Sequence, residues 1–342
     1  MKKSGLFFIL SLVCVFLFAA TAGAKETVVV YTSLENEEIV EYLKTAKEEL
    51  SNLDIQAIRL STGELGARML AERDNPQADC IWGWAVTNME EFIPQGMLVP
   101  YKAKGWDKIP DKFKNPDDYW AAIDMYGSAF IINTKVIEAK NLPVPKSWED
   151  LLNPAYKDML IMPNPASSGT GFLMVASLLE VMDPDYKNKP VEQNEAWNFL
   201  KKLDKNMGQY IKSGSKPGKL TAAGEYAVGC SFAFVYASLK RQGFPIEMVI
   251  PKEGYAYELE ANALLKGAKH EAAAKEFLDW AISKSAMEQY ARFKMGVTYP
   301  GIPQGDKLLP PFDTIKLAPM DFPWQAKNRA KILDVWSNYF LK

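Results

Sequence analysis

Apolar residues along the chain gather into short unbroken runs, and helical stretches separate them. Thr27-Val28-Val29-Val30-Tyr31 is β-branched with no polar alternation, the pattern of a strand covered on both faces. After it, Ile39, Leu43, Ala46 and Leu50 recur at the spacing of one helix face. Residues 54–60 read as a second strand, 64–73 as a second helix and 79–82 as a third strand. The order resumes with strands at 128–132 and 159–162, helices at 172–182 and 192–206, and a strand at 226–234. Strands at 246–250 and 261–265 follow, then a helix in which Ala274, Phe277, Leu278 and Ala281 share one face. Alternation of strand and helix predicts an α/β protein with parallel sheets, and its two runs predict two lobes. No repeat, low-complexity tract or long Gly/Ser linker divides the runs, so strands that cross between the lobes are expected to join them. The Pro-rich residues 298–323 read as an irregular wrap on the second lobe before a last helix at 326–340.

The start of the chain stands apart from this pattern. Lys2 and Lys3 precede an almost wholly apolar stretch of about 15 residues, shorter than the roughly 20 of a membrane span, and Ala22-Gly23-Ala24 supplies the small residues of a cleavage site. The expectation is a signal peptide over residues 1–24, cut after Ala24, and an exported protein; an uncleaved anchor is the alternative. Of the 342 residues 48% are hydrophobic, enough for a sizeable core, and 40 basic against 42 acidic residues exclude the positive excess of a general nucleic-acid binder. Cys80 and Cys230 read as buried apolar residues; a bridge between them is permitted by export and not implied.

Several chemistries fail on inventory. A single histidine, His270, expected as a solvated residue at a helix start, cannot supply a zinc site. No Walker A, G-x-G-x-x-G, C-x-x-C or G-x-S-x-G pattern occurs. The most informative segment is Ser167-Ser168-Gly169-Thr170-Gly171, placed between a strand and an apolar helix. Its glycines allow a sharp turn, its hydroxyls donate, and the free N–H groups of the next helix point into the same space, which together make an oxyanion cradle. The equal alternative is an ordinary strand-to-helix turn with Ser167 or Ser168 as N-cap. Thr32 and Ser33 with Glu35, and Ser61-Thr62-Gly63, place small hydroxyls at two further strand ends, where ligands of α/β sheets sit; each alone reads as a helix cap, and the three ends together as a polar pocket. Trp82 and Trp84 at the end of the third strand are expected as an aromatic wall, with burial in the core the alternative for at least one of them.

With Val30-Tyr31-Thr32-Ser33, Ser61-Thr62-Gly63-Glu64, Pro145-Lys146-Ser147-Trp148-Glu149-Asp150-Leu151-Leu152, Ser167–Gly171, Gly224-Glu225-Tyr226-Ala227-Val228-Gly229 and Gly267-Ala268-Lys269 in this order, the chain resembles the periplasmic solute-binding proteins of ABC importers. The resemblance is to the cluster of ferric-iron, aminoethylphosphonate and sugar-phosphate binders. It implies a two-lobed type II periplasmic-binding-protein fold with an interlobe cleft: lobe one at 25–126 and 246–295, lobe two at 127–245 and 296–342. It also implies a periplasmic monomer that docks on an inner-membrane ABC permease, with no cofactor. Ferric members carry two adjacent tyrosines after the segment that matches Gly224–Gly229. This chain reads Ser231-Phe232-Ala233-Phe234-Val235 there, with a single Tyr236, which demotes iron and leaves no metal site expected.

The reading is therefore a receptor for a small organic anion, a phosphonate or phosphate ester. Ser167, Ser168, Gly169, Thr170 and Gly171 would hold the phosphoryl oxygens, faced by Thr32, Ser33, Ser61, Thr62 and Gly63. Glu35 or Glu225 would take an ammonium or hydroxyl, Trp82 and Trp84 would cover the apolar part, and Ser231 and Phe232 complete the site. A ferric receptor and a secreted phosphoesterase with Ser168 as nucleophile are the alternatives.

Overall fold

A computed structural model describes residues 25–340, so the expected signal peptide and its cut lie outside the described residues. The first strands and helices are β1 (Glu26–Thr32), α1 (Asn36–Glu49), β2 (Leu53–Arg59), α2 (Thr62–Ala71), β3 (Cys80–Ala85), α3 (Val86–Phe92) and a short β4 (Leu98–Val99). The long β5 (Ala121–Asn133) leads into α4 (Thr134–Ala139), β6 (Leu160–Pro163), α5 (Gly169–Met182), α6 (Ala196–Leu203) and β7 (Met207–Ile211). Next come α7 (Lys216–Ala222), β8 (Val228–Phe232), α8 (Ala233–Arg241) and β9 (Ile246–Val249). The chain ends through β10 (Tyr257–Leu265), α9 (Glu271–Ala281), α10 (Lys284–Tyr290), β11 (Gly296–Val297) and α11 (Phe322–Phe340).

One strand belongs to both lobes. The sheet order is β2-β1-β3-β10-β5-β8-β6-β7: the first half of β5 pairs with β10, and Ser128 to Ile132 pairs with β8. The chain returns between β9 and β10, and there the two crossing segments touch so closely that a Cβ on Gly127 would lie 2.1 Å from the Tyr255 ring. β9 pairs with Phe130 to Asn133, so the return crossing falls after Val249 and not at 246 as expected. β11 pairs with Met125 and Asp124, which places 296–297 with lobe one and not with lobe two. The strand expected through 234 stops at Phe232, where the chain turns into α8.

The lobe-one sheet buries both faces. Val28, Val30, Trp82, Tyr42 and Phe277 form one core, and Tyr31, Ile81, Leu65, Trp84 and Phe92 form the other. Trp82 and Trp84 would share a face in a regular strand, but Gly83 between them takes φ 64°, a conformation suited to glycine, and sends them to opposite faces. Cys80 and Cys230 are both buried and unbridged. His270 is the N-cap residue of α9 and half-exposed, and it is anchored: its backbone N–H and Nδ1 lie 2.9 and 3.0 Å from the buried Asp79 carboxylate. Helix α11 touches both lobes. Its buried Arg329 has Nε 3.3 Å from Glu91 in α3 and its guanidinium over the Phe172 ring of α5, while Gln325 donates to Glu180 at the far end of α5. No helix among the described residues is long and apolar enough to cross a membrane.

Candidate functional site

Where β1, β2, β6 and β8 end, the chain turns directly into a helix, and the turns face one another across the cleft. The starts of α1, α2, α5 and α8 line one narrow cavity. Each helix start leaves N–H groups without intrahelical acceptors and carries the positive end of a dipole. At α1 this charge is answered within the chain, since Glu35 and Glu38 form a reciprocal capping box. The starts of α2 and α5 present hydroxyls instead. Ser61, the N-cap residue of α2, makes no side-chain cap bond, so its hydroxyl and that of Thr62 are left for the cavity. Ser168 caps α5 by accepting from the Gly171 amide at 3.3 Å, which leaves the amides of Gly169 and Thr170 as the free donors of that turn.

The two starts nearly touch. The Gly63 amide donates to Ser167 O of the other lobe at 3.1 Å, and a Cβ on Gly169 would lie 2.6 Å from Thr62 Oγ1. At the mouth Ser215 donates to Glu35 at 3.3 Å and Lys219 to Glu37 at 3.1 Å. Behind α2, Trp84 Nε1 donates to Thr62 O and fixes the turn.

Of the residues expected to make the site, the structure brings Ser33, Glu35, Ser61, Thr62, Ser168, Gly169, Thr170 and Phe232 around this cavity. Gly63 and Ser167 form the seam between the lobes. Others turn away. Trp82 and Trp84 lie in the two cores of lobe one and wall nothing in the cleft, as Gly83 dictates. The aromatic wall is Tyr126 against Phe232, ring centroids 6.3 Å apart, with Phe234 stacked behind. Glu225 is exposed in the turn after α7 and does not line the cavity. The Thr32 hydroxyl accepts from Leu34 N, and Ser231 donates to Gly214 O, so both serve the backbone. Gly171 faces the 163–165 turn, where a Cβ would lie 2.6 Å from Pro163 O.

Glu35 is not free to take an ammonium, because Arg59 Nη2 holds it at 2.9 Å. The sequence reading missed Arg59 and the cleft floor. There Lys294 Nζ lies 2.9 Å from Glu38, 2.5 Å from Glu260 and 3.7 Å from Asp124, all of them buried. Burial works against the Lys294 charge, but Asp124, Glu260 and Glu38 outweigh it and hold the ammonium well above its usual range. Burial also pushes Glu38 and Asp124 upward, with Lys294 opposing. A carboxylate inside a strand buried on both faces, such as Glu260 between Leu259 and Ala261, was the available signal. Among the described residues, no group of three acidic, histidine or cysteine side chains is placed to hold a metal ion.

Comparison with known proteins agrees with this architecture. The model of the bacterial extracellular solute-binding protein family matches residues 78–323. An uncharacterized protein of Haemophilus influenzae is 35% identical over 275 residues, 79% of this chain and 77% of its own length. A probable ABC transporter periplasmic-binding protein of Sinorhizobium fredii is 24% identical over 80% of this chain and 74% of its own length. Among solved structures, the periplasmic binding protein AfuA from Actinobacillus pleuropneumoniae, with exogenous fructose-6-phosphate bound, superposes with a TM-score of 0.84 at 29% identity, covering 92% of this chain and 98% of that one.

Proposed function

The chain belongs to the bacterial extracellular solute-binding proteins, and we propose that it captures a small organic anion, a phosphonate or phosphate ester, for an ABC importer. The observation that carries this reading is the facing pair of helix starts. α2 and α5 come from opposite lobes and start at Ser61 and Ser168, and the hydroxyls of Ser61, Thr62, Ser168 and Thr170 meet the free amides of Gly169 and Thr170 around one small cavity. A phosphoryl group asks for several such donors at once. Closing the two lobes on it would add the second set of donors to the first, so binding and closure reinforce each other. The sugar phosphate in AfuA supports a phosphoryl ligand.

The geometry favours capture over hydrolysis. Ser168 caps a helix, and His270, the one histidine of the chain, is engaged with Asp79 in the turn that opens α9. Iron is disfavoured by the corner after β8, where Phe234 and Val235 are buried and offer no oxygen.

The test is a thermal-shift screen on chelated protein stripped by refolding. The panel holds phosphonates, phosphate esters, carboxylates, putrescine and Fe(III), and small-angle scattering follows for any hit. A phosphoryl compound at a hundredfold excess over its Kd should stabilise the protein by about 2.7 kcal/mol and shrink its radius of gyration. Indifference to every phosphoryl compound, with stabilisation by Fe(III) or a simple carboxylate, overturns the proposal.

A further inference from the structure

All three carboxylates that line the cavity already hold a cation of the chain itself. Glu35 is paired with Arg59 at 2.9 Å, and Glu38 and Glu260 are paired with Lys294 at 2.9 and 2.5 Å. The second pairing has the form of an ammonium-binding socket. Its acids come from three separate elements, Glu38 from α1, Asp124 from β5 and Glu260 from β10, and converge on one nitrogen. Every member is at least nine-tenths buried, and Lys294 itself is 4% exposed.

Asp124 shows that the socket holds more acceptors than its occupant uses. It is fully buried, and neither of its oxygens has a hydrogen-bond partner, although the Lys294 ammonium stands 3.7 Å away. An ammonium has three donors. Two go to Glu260 and Glu38, and Asp124, which burial pushes upward toward its neutral form, stays beside the ammonium with an unused oxygen acceptor. The lysine reaches the socket from just beyond α10, where its backbone N–H donates to Tyr290 O, so the ammonium is tethered to lobe one.

We propose that Lys294 is a specificity-determining residue: its ammonium fills a three-carboxylate socket in the cleft floor and so bars amine solutes that this socket would otherwise bind. The inference rests on the cleft being the ligand site and not on the ligand carrying a phosphoryl group. A primary amine, diamine or polyamine that enters the cleft meets acids already neutralised at short range, whereas a neutral or anionic solute loses nothing by it. Replacing the lysine with a short side chain exposes Glu38, Asp124 and Glu260 to the cavity and converts the floor into an amine site.

The experiment follows thermal unfolding of the parent, of Lys294→Ala and of Lys294→Ala/Asp124→Asn, which carries one buried acid fewer. Each is titrated with n-butylammonium, putrescine, and n-butanol as the uncharged control. Expected are a lower Tm in the variants and a saturable rise of about 2–4 °C with either amine and not with butanol. The parent should show no saturable response to either amine. The proposal is overturned if a folded variant ignores both amines, if butanol serves as well, or if putrescine saturably stabilises the parent. Should neither variant fold, the parent titration decides alone. The anion reading is decided by the phosphoryl compounds on the parent and the socket by the amines on parent and variants, so failure of the one and failure of the other are separate results, although putrescine is common to both panels.

Discussion

Gly63→Ala perturbs lobe closure while leaving every hydroxyl of the cradle in place. Gly63 is the second residue of α2, and a Cβ there would lie 2.2 Å from Ala166 O and 2.9 Å from Ser167 Cα. Both are backbone atoms of the facing lobe, in a turn pinned by Asn164, whose Oδ1 accepts from Ala166 N at 2.9 Å and whose carbonyl accepts from Ser168 N at 2.9 Å. They cannot swing aside as a side chain would. Ordinary contact begins near 3.4 Å, so the lobes must part by roughly 1 Å at this point. The Gly63–Ser167 bond is then lost, about 0.5–1.5 kcal/mol, together with close contacts along the seam. A loss of about 1.5–3 kcal/mol in the closed form weakens binding by about 10- to 150-fold. The open form should not suffer, because Gly63 is not in a positive-φ conformation and alanine is the better helix former by about 1 kcal/mol. Calorimetric titration with the compound that emerges from the thermal-shift screen gives Kd, and unfolding without ligand gives the control. Binding within twofold of the parent, with the same compaction on ligand, would refute the claim that the cleft closes on this glycine.

Three further outcomes follow from particular contacts. Ser168→Ala removes both an N-cap and a cavity hydroxyl, and should cost about 1 kcal/mol of stability and weaken ligand binding by about 5- to 10-fold; a change in stability alone would remove Ser168 from the cradle. Glu258, buried beside the Thr87 hydroxyl, is pushed by burial from the usual 4.5 to about 7. The folded state thus binds more protons than the unfolded one between those values, and this group's contribution to stability falls as the pH rises from about 4.5 to 7. Glu258→Gln should flatten the pH dependence of unfolding in that window by on the order of 1–3 kcal/mol, and an unaltered slope would place the proton elsewhere. Asp79→Ala strips acceptors from Val29 N, His270 N and His270 Nδ1, and should lower Tm by about 5–10 °C in thermal unfolding; a shift under about 2 °C, the effect of a surface change, would show that water replaces them.

The parts that were legible in the sequence are those written locally. A β-branched run followed by Ser, Thr and Gly predicts a strand ending at a helix start, and that rule located the turns at Ser33, Ser61 and Ser168. The two-lobed α/β plan came from the same alternation. The crossing strand β5 was seen only in its second half, because Asp124 and Gly127 interrupt the apolar run. Those two residues are there for tertiary reasons, one facing Lys294 and the other giving room to Tyr255. The tryptophan wall failed for a single torsion at Gly83. The charged floor was not legible as a cluster, because its members lie at 38, 124, 260 and 294, and only Glu260, set inside an apolar strand, stands out from a surface residue. Only the topology brings them to one point.

Strand β10 has a consequence for how the chain comes to be folded. It sits between β3 and β5 in the lobe-one sheet, yet it is made of residues 257–265, after every strand of the second lobe has been read out. Strands β5 to β9 run uninterrupted from 121 to 249, so the second lobe has all its sheet partners as soon as that stretch is available. The β1–β2–β3 portion, synthesised first, has to wait with the fully buried strand Cys80–Ala85 exposed as an open, apolar edge. Lobe two should therefore form first and lobe one last, by insertion of a late strand into a waiting gap. The long separation of these partners makes that insertion the slow step. In refolding, hydrogen-exchange protection of β8 and β6 should precede that of β3, and the interval between them is when the chain is most open to aggregation or to a chaperone.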